Sequence, residues 1–88
     1  MTITDVRVHL TGGGTTLKAS ASVTLDEVFA VRDLKVIEGS KGLFVAMPSR
    51  KTEDGKYLDV AFPVTRDMRD QLQAKVLAEY EKALQKPH

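Results

Sequence analysis

The chain has 88 residues, 42% hydrophobic and 28% charged, with a net charge of +1. These are the values of an ordinary globular domain too short to hold two cores, so residues 1–88 are expected to form one domain. Cysteine is absent, which excludes disulfides, thiolate catalysis and Cys-ligated metal sites and agrees with a reducing cytoplasm.

A balance so close to zero argues for no partner, and any electrostatic argument has to be local. The start shows no basic segment leading into a long apolar run, and no apolar run reaches bilayer length. The expectation is a cytoplasmic protein with no signal peptide and no membrane partner. A domain this small buries a modest share of its surface, so self-association is expected as well.

Val6, Val8 and Leu10 alternate with Arg7 and His9, the pattern of a half-buried strand. The glycine-rich segment at 11–15 follows. It lacks the Lys-Ser/Thr pair and the helix that a phosphate loop requires, and it reads as a hairpin turn. Leu17, Ala19, Ala21, Val23 and Leu25 then alternate with Lys18, Ser20, Ser22 and Thr24. That pattern predicts a second strand, antiparallel to the first. The serines have no base nearby, since the chain carries only His9 and His88, so a nucleophilic serine is not expected.

Asp26-Glu27 turns the chain into residues 28–37, which are apolar on both faces: Val28, Ala30, Leu34 and Val36 on one, Phe29, Val31 and Ile37 on the other. Such a strand is central or is covered by a partner molecule. Two further strands are predicted at 43–47 and 57–62, each closed by a proline. Between them Asp54-Gly55 signals a reversal, so the 50–56 segment reads as a loop at the tip of a hairpin. From Thr65 the period changes. Met68, Leu72, Val76, Tyr80 and Leu84 recur every four residues, with Leu77 beside them, and mark one helical stripe. Thr65 is its expected N-cap, Asp67 suits the first turn, Lys82 and Lys86 the last, and Pro87 the end. The predicted architecture is α+β: a five-stranded, mainly antiparallel sheet followed by one long C-terminal helix packed on one face.

No pair of carboxylates is placed by a motif, and no His or Cys spacing suits a metal. No catalytic residue, cofactor, metal or small-molecule substrate is therefore expected. The cations are more informative. Arg50, Lys51 and Lys56 sit in the predicted loop, and Arg66 with Arg69 opens the helix, three apart on one side. On composition alone these read as solvated surface charges; the functional alternative is a phosphate-binding patch. Phe44 and Phe62 are expected to fill the core beneath the helix, although an open face would let them stack bases. The RNA-recognition-motif pattern is absent, apart from an echo of a fragment at residues 41–45.

Four segments carry a family resemblance: TDVR at 4–7, ASASVTLD at 19–26, RDLKVIEG at 32–39 and GLFVAMPSRKT at 42–52, followed by Asp54-Gly55. In order from about Thr4 to Tyr80, the chain resembles the SpoVG family of bacterial septation proteins, named for stage V sporulation. The resemblance implies a non-enzymatic cytoplasmic homodimer that binds DNA, in some members RNA, and acts in septation, sporulation or gene expression. It implies binding through Arg50 and Lys51, which follow Met-Pro-Ser as the family's paired basic positions do, and through Arg66 and Arg69 at the helix start. An interaction module of the division machinery, without direct nucleic-acid binding, is the alternative.

Overall fold

Alternation at the start of the chain becomes β1 (Ile3–Leu10) and β2 (Leu17–Leu25), paired antiparallel with Val6 opposite Val23 and Val8 opposite Ala21. The computed structural model describes residues 1–11 and 16–85. The predicted glycine turn and the helix end at Lys86 and Pro87 lie outside the described residues.

Leu25 to Val28 closes a tight turn in which the Val28 amide donates to the Leu25 carbonyl (3.0 Å) and Asp26 and Glu27 take φ of 50° and 62°. Positive φ at both central residues matches the right-handed twist of the flanking strands. The N-terminal strand clamps this turn. The Thr2 amide donates to Asp26 Oδ1 (2.8 Å), the Asp26 amide to the Thr2 carbonyl (2.8 Å) and the Glu27 amide to Thr4 Oγ1 (3.0 Å).

β3 (Phe29–Gly39) pairs antiparallel with β2 and with β4 (Gly42–Ala46), giving a four-stranded sheet in the order β1-β2-β3-β4. The two apolar faces expected of this strand do not exist as such. Val23 pairs with Val31 but Ala21 with Leu34, so Arg32 and Asp33 together oppose Ser22, and Asp33 takes φ 65°. This bulge shifts the alternation by one residue and brings Val31, Leu34 and Val36 onto a common face.

That face carries the core: Ile3, Ala19, Ala21, Val23, Leu34, Val36 and Val45, closed by Leu72, Val76 and Tyr80 of α1 (Arg66–Gln85). The helix crosses β1, β2 and β4 on this side. Lys75 Nζ donates to the Ile3 carbonyl (3.2 Å), and Gln73 Oε1 accepts from the Val45 amide (3.2 Å), satisfying a donor of the edge strand. Thr65 is the N-cap, with Oγ1 accepting from the Met68 amide (3.2 Å). Leu84 departs from the expected stripe and is 55% exposed. A four-residue step overshoots one helical turn by roughly 40°, so the stripe rotates away from the sheet along the helix.

The fifth strand of the expected sheet is the main correction. Pro48 lacks a ladder donor, the chain leaves the sheet after β4, and β5 (Ser49–Lys51) pairs with β6 (Tyr57–Asp59) in a separate two-stranded ribbon. Its base is tied by the Val60 amide donating to the Pro48 carbonyl (2.8 Å). Residues 60–62, expected to extend the last strand, lie outside it. Phe44 and Phe62 are likewise not core: they are 41% and 56% exposed, and Tyr80 is the one aromatic ring in the core. No described helix is long and apolar enough to cross a membrane.

Candidate nucleic-acid interface

The β5–β6 ribbon exists because Thr52 to Lys56 folds back on itself. The Gly55 amide donates to the Thr52 carbonyl (3.0 Å), and the Thr52 amide donates to the Lys56 carbonyl (2.7 Å). Gly55 adopts φ 87°, a conformation that a residue with a Cβ rarely takes. The Thr52 hydroxyl bonds the Asp54 carboxylate and holds its pKa below the ordinary aspartate value; partial desolvation opposes this, and backbone donors add to it. A charged loop is thus fixed by its own hydrogen bonds.

Arg50 and Lys51 lie in β5, not in the loop as the sequence suggested. In the ribbon Arg50 pairs with Leu58 and Lys51 with Tyr57, while Ser49 pairs with Asp59. Neighbouring residues of a strand point to opposite faces. Lys51 therefore shares a face with Tyr57, Ser49 and Asp59, and Arg50 shares the other with Leu58. The two cations flank the ribbon and do not form a two-pronged fork. Lys56 closes the loop at the start of β6.

Arg66 and Arg69 stand in the first turn of α1, and Arg69 lines a depression of about 260 Å³ with Asp59, Ala46, Met47 and Gln73. The helix start thus lies beside the base of the ribbon. Cations at a helix N-terminus oppose the macrodipole and cost a few tenths of a kcal/mol each, so helix stability does not account for their placement. Arg50, Lys51, Lys56, Arg66 and Arg69 are all exposed, and none forms an ion pair among the described residues. The ion pairs that do form, Arg7–Asp5 (3.1 Å) and Lys82–Glu79 (3.3 Å), lie elsewhere. Among the described residues no cluster of His, Asp or Glu is arranged to hold a metal.

Two features escaped sequence reasoning. The first is an apolar groove of about 280 Å³ beside the β2–β3 turn, lined by Met1, Phe29, Val31, Phe62 and Met68 among others. Phe29 remains 65% exposed there. The second is the exposure of Phe44, expected in the core with an open face as the alternative: its pairing with Ile37 places it on the helix-free face of the sheet. The alternation Phe44–Val45–Ala46 carries that signal once Val45 is assigned to the core.

A family model described as SpoVG matches residues 1–82. Curated relatives bear the name "Putative septation protein SpoVG". The relative from Lachnospira eligens is 54% identical over 83 residues, covering 94% of each chain. That of Thermoanaerobacter pseudethanolicus is 54% identical over 83 residues, 94% of this chain and 90% of its own. That of Heliobacterium modesticaldum is 52% identical over 84 residues, 96% and 94%.

Proposed function

The chain belongs to the SpoVG family, and from that premise we propose that it is a non-enzymatic, cytoplasmic, homodimeric regulator that binds nucleic acid and acts in septation, sporulation or gene expression. Septation enters through the name its relatives carry. Nucleic-acid binding rests on one observation: five exposed cations on the ribbon and the adjoining helix turn have no carboxylate partner among the described residues. An unpaired arginine or lysine on a rigid element is free to neutralise a phosphate, and each such contact releases a counterion.

Fluorescence anisotropy with labelled duplex DNA and RNA tests the proposal. Affinity is expected to fall linearly on a log–log plot against salt. In an Arg50→Ala/Lys51→Ala variant the slope should flatten by about two, the two lost phosphate contacts. Salt-independent binding, or an unchanged slope in the variant, would overturn the assignment of these residues.

The apolar groove favours a second reading, an interaction module of the division machinery. A homodimer that buries the groove removes that support, and sedimentation of the purified chain distinguishes the two.

A further inference from the structure

The sheet has a second face, and no described element packs on it. Along β2, Ala19, Ala21 and Val23 are 0%, 4% and 3% exposed, whereas Ser20, Ser22 and Thr24 between them stay partly accessible. A covered face would have buried these small side chains in the middle of a four-stranded sheet.

Strand register assigns what surrounds them. His9 of β1 pairs with Ser20 of β2, Ser20 with Lys35 of β3, and Lys35 with Ala46 of β4, forming one row across the sheet. In the next row Ile37 pairs with Phe44. The Phe44 ring lies over Gly39, where an added Cβ would meet Cε1 at 3.0 Å. Glycine therefore gives the ring its seat, and the ring stays accessible on its outer side.

Carboxylates on this face are confined to one end, where Arg7, opposite Ser22, is ion-paired with Asp5 (3.1 Å). These carboxylates, Asp5 and Asp33, lie at the end near the β2–β3 turn: Asp5 pairs with Thr24, and Asp33 sits in the bulge opposite Ser22. The rows of His9–Ser20–Lys35 and Ile37–Phe44 contain no carboxylate. Glu38 pairs with Leu43 and so belongs to the opposite side.

An exposed ring, a hydroxyl, a lysine and an imidazole in carboxylate-free adjacent rows of an open sheet supply what a single nucleic-acid strand needs. The ring offers a stacking surface for a base, and the cation and hydroxyl offer partners for a phosphate. A duplex keeps its bases stacked inside and has no use for the ring. From β1 to β4 the face spans about 14 Å, three strand spacings, wide enough to seat a short stretch of single strand.

We infer that the helix-free face of the sheet is a binding platform for single-stranded nucleic acid, with a base stacked on Phe44 and the phosphate backbone held by Lys35, Ser20 and His9. This rests on the nucleic-acid reading above and adds a surface separate from the ribbon. It gives the molecule one site for backbone charge and another for unpaired bases.

The chain contains no tryptophan, so a Phe44→Trp variant carries a single reporter on the platform. Short oligo(dT) and oligo(U) should quench its emission. Phe44→Ala and Lys35→Gln should each weaken binding of these oligomers, the former by on the order of tenfold, the effect of losing one base–aromatic stack. Leu84→Ala, which truncates an exposed apolar side chain of the helix, should leave it unchanged. If anisotropy shows the oligomers bound while the F44W emission is unaltered, or if F44A and K35Q bind as the parent does, the platform is overturned and the reading of the ribbon stands. If neither duplex nor single strand binds at any salt concentration, both fall. F44W with retained thermal unfolding keeps the test valid should F44A fold poorly.

Discussion

Thr52 and Asp54 show how a single side-chain contact fixes the loop beside the candidate cations. The Thr52 hydroxyl favours the charged carboxylate, so the pKa of Asp54 is lowered in the folded chain. A lowered folded value means that the contact stabilises the loop above the ordinary aspartate value. Its contribution is lost as pH falls through the lowered one. Replacing Thr52 by Val should return the Asp54 titration upward toward the ordinary value, followed by NMR of the carboxyl carbon. An identical midpoint in the variant would remove the hydroxyl as the cause. At this scale much was legible: Asp54-Gly55 announced the reversal and Thr65 the cap. The alternate facing of Arg50 and Lys51 was not, because it follows from strand pairing that begins at Ser49, one residue after a proline.

Elements were legible where their period was unbroken. β1, β2 and the helix as far as Tyr80 follow their patterns, since a regular period has one low-energy placement against an apolar partner. β3 was misread because a bulge is invisible to a period of two: Val28–Ile37 counts as two apolar faces until Asp33 is known to take positive φ. The separate ribbon was missed for a related reason. Apolar composition in Leu58, Val60 and Phe62 suggested burial, yet all three are exposed, and local composition does not report which sheet a strand joins. The bulge carries an energetic consequence. Leu34, the residue just beyond it, is 1% exposed, so Leu34→Ala leaves a cavity and should cost about 3 kcal/mol in urea unfolding. Leu84→Ala, on the rotated end of the helical stripe, should cost less than about 1 kcal/mol. Equal losses would mean that the helix docks along its full length and that the bulge does not set the core face.

At the scale of the molecule the unexplained surface is the apolar end. The Cα radius of gyration, 13.3 Å, exceeds the roughly 12 Å expected of a compact chain this long, in keeping with a ribbon that stands apart from the sheet. Phe29 and Phe62 are 65% and 56% exposed around the groove. Rings of about 150–250 Å² each then leave on the order of 200 Å² between them, worth roughly 5 kcal/mol per protomer at 25 cal/mol/Å². Two protomers burying the same end would gain roughly 10 kcal/mol, within the range of about 4–15 kcal/mol that association costs. The dimer proposed above would therefore depend on these rings. Phe62 lies four residues before Arg66, so pairing at this end brings two helix starts together and doubles the cations facing one nucleic acid. A Phe29→Asp/Phe62→Asp variant should sediment as a monomer at micromolar concentration, and its duplex binding should show about half the salt slope of the parent, half the phosphate contacts being gone. A variant that remains dimeric would place the interface elsewhere. A monomer with the parent's full slope would show that one protomer's ribbon and helix start make all the contacts.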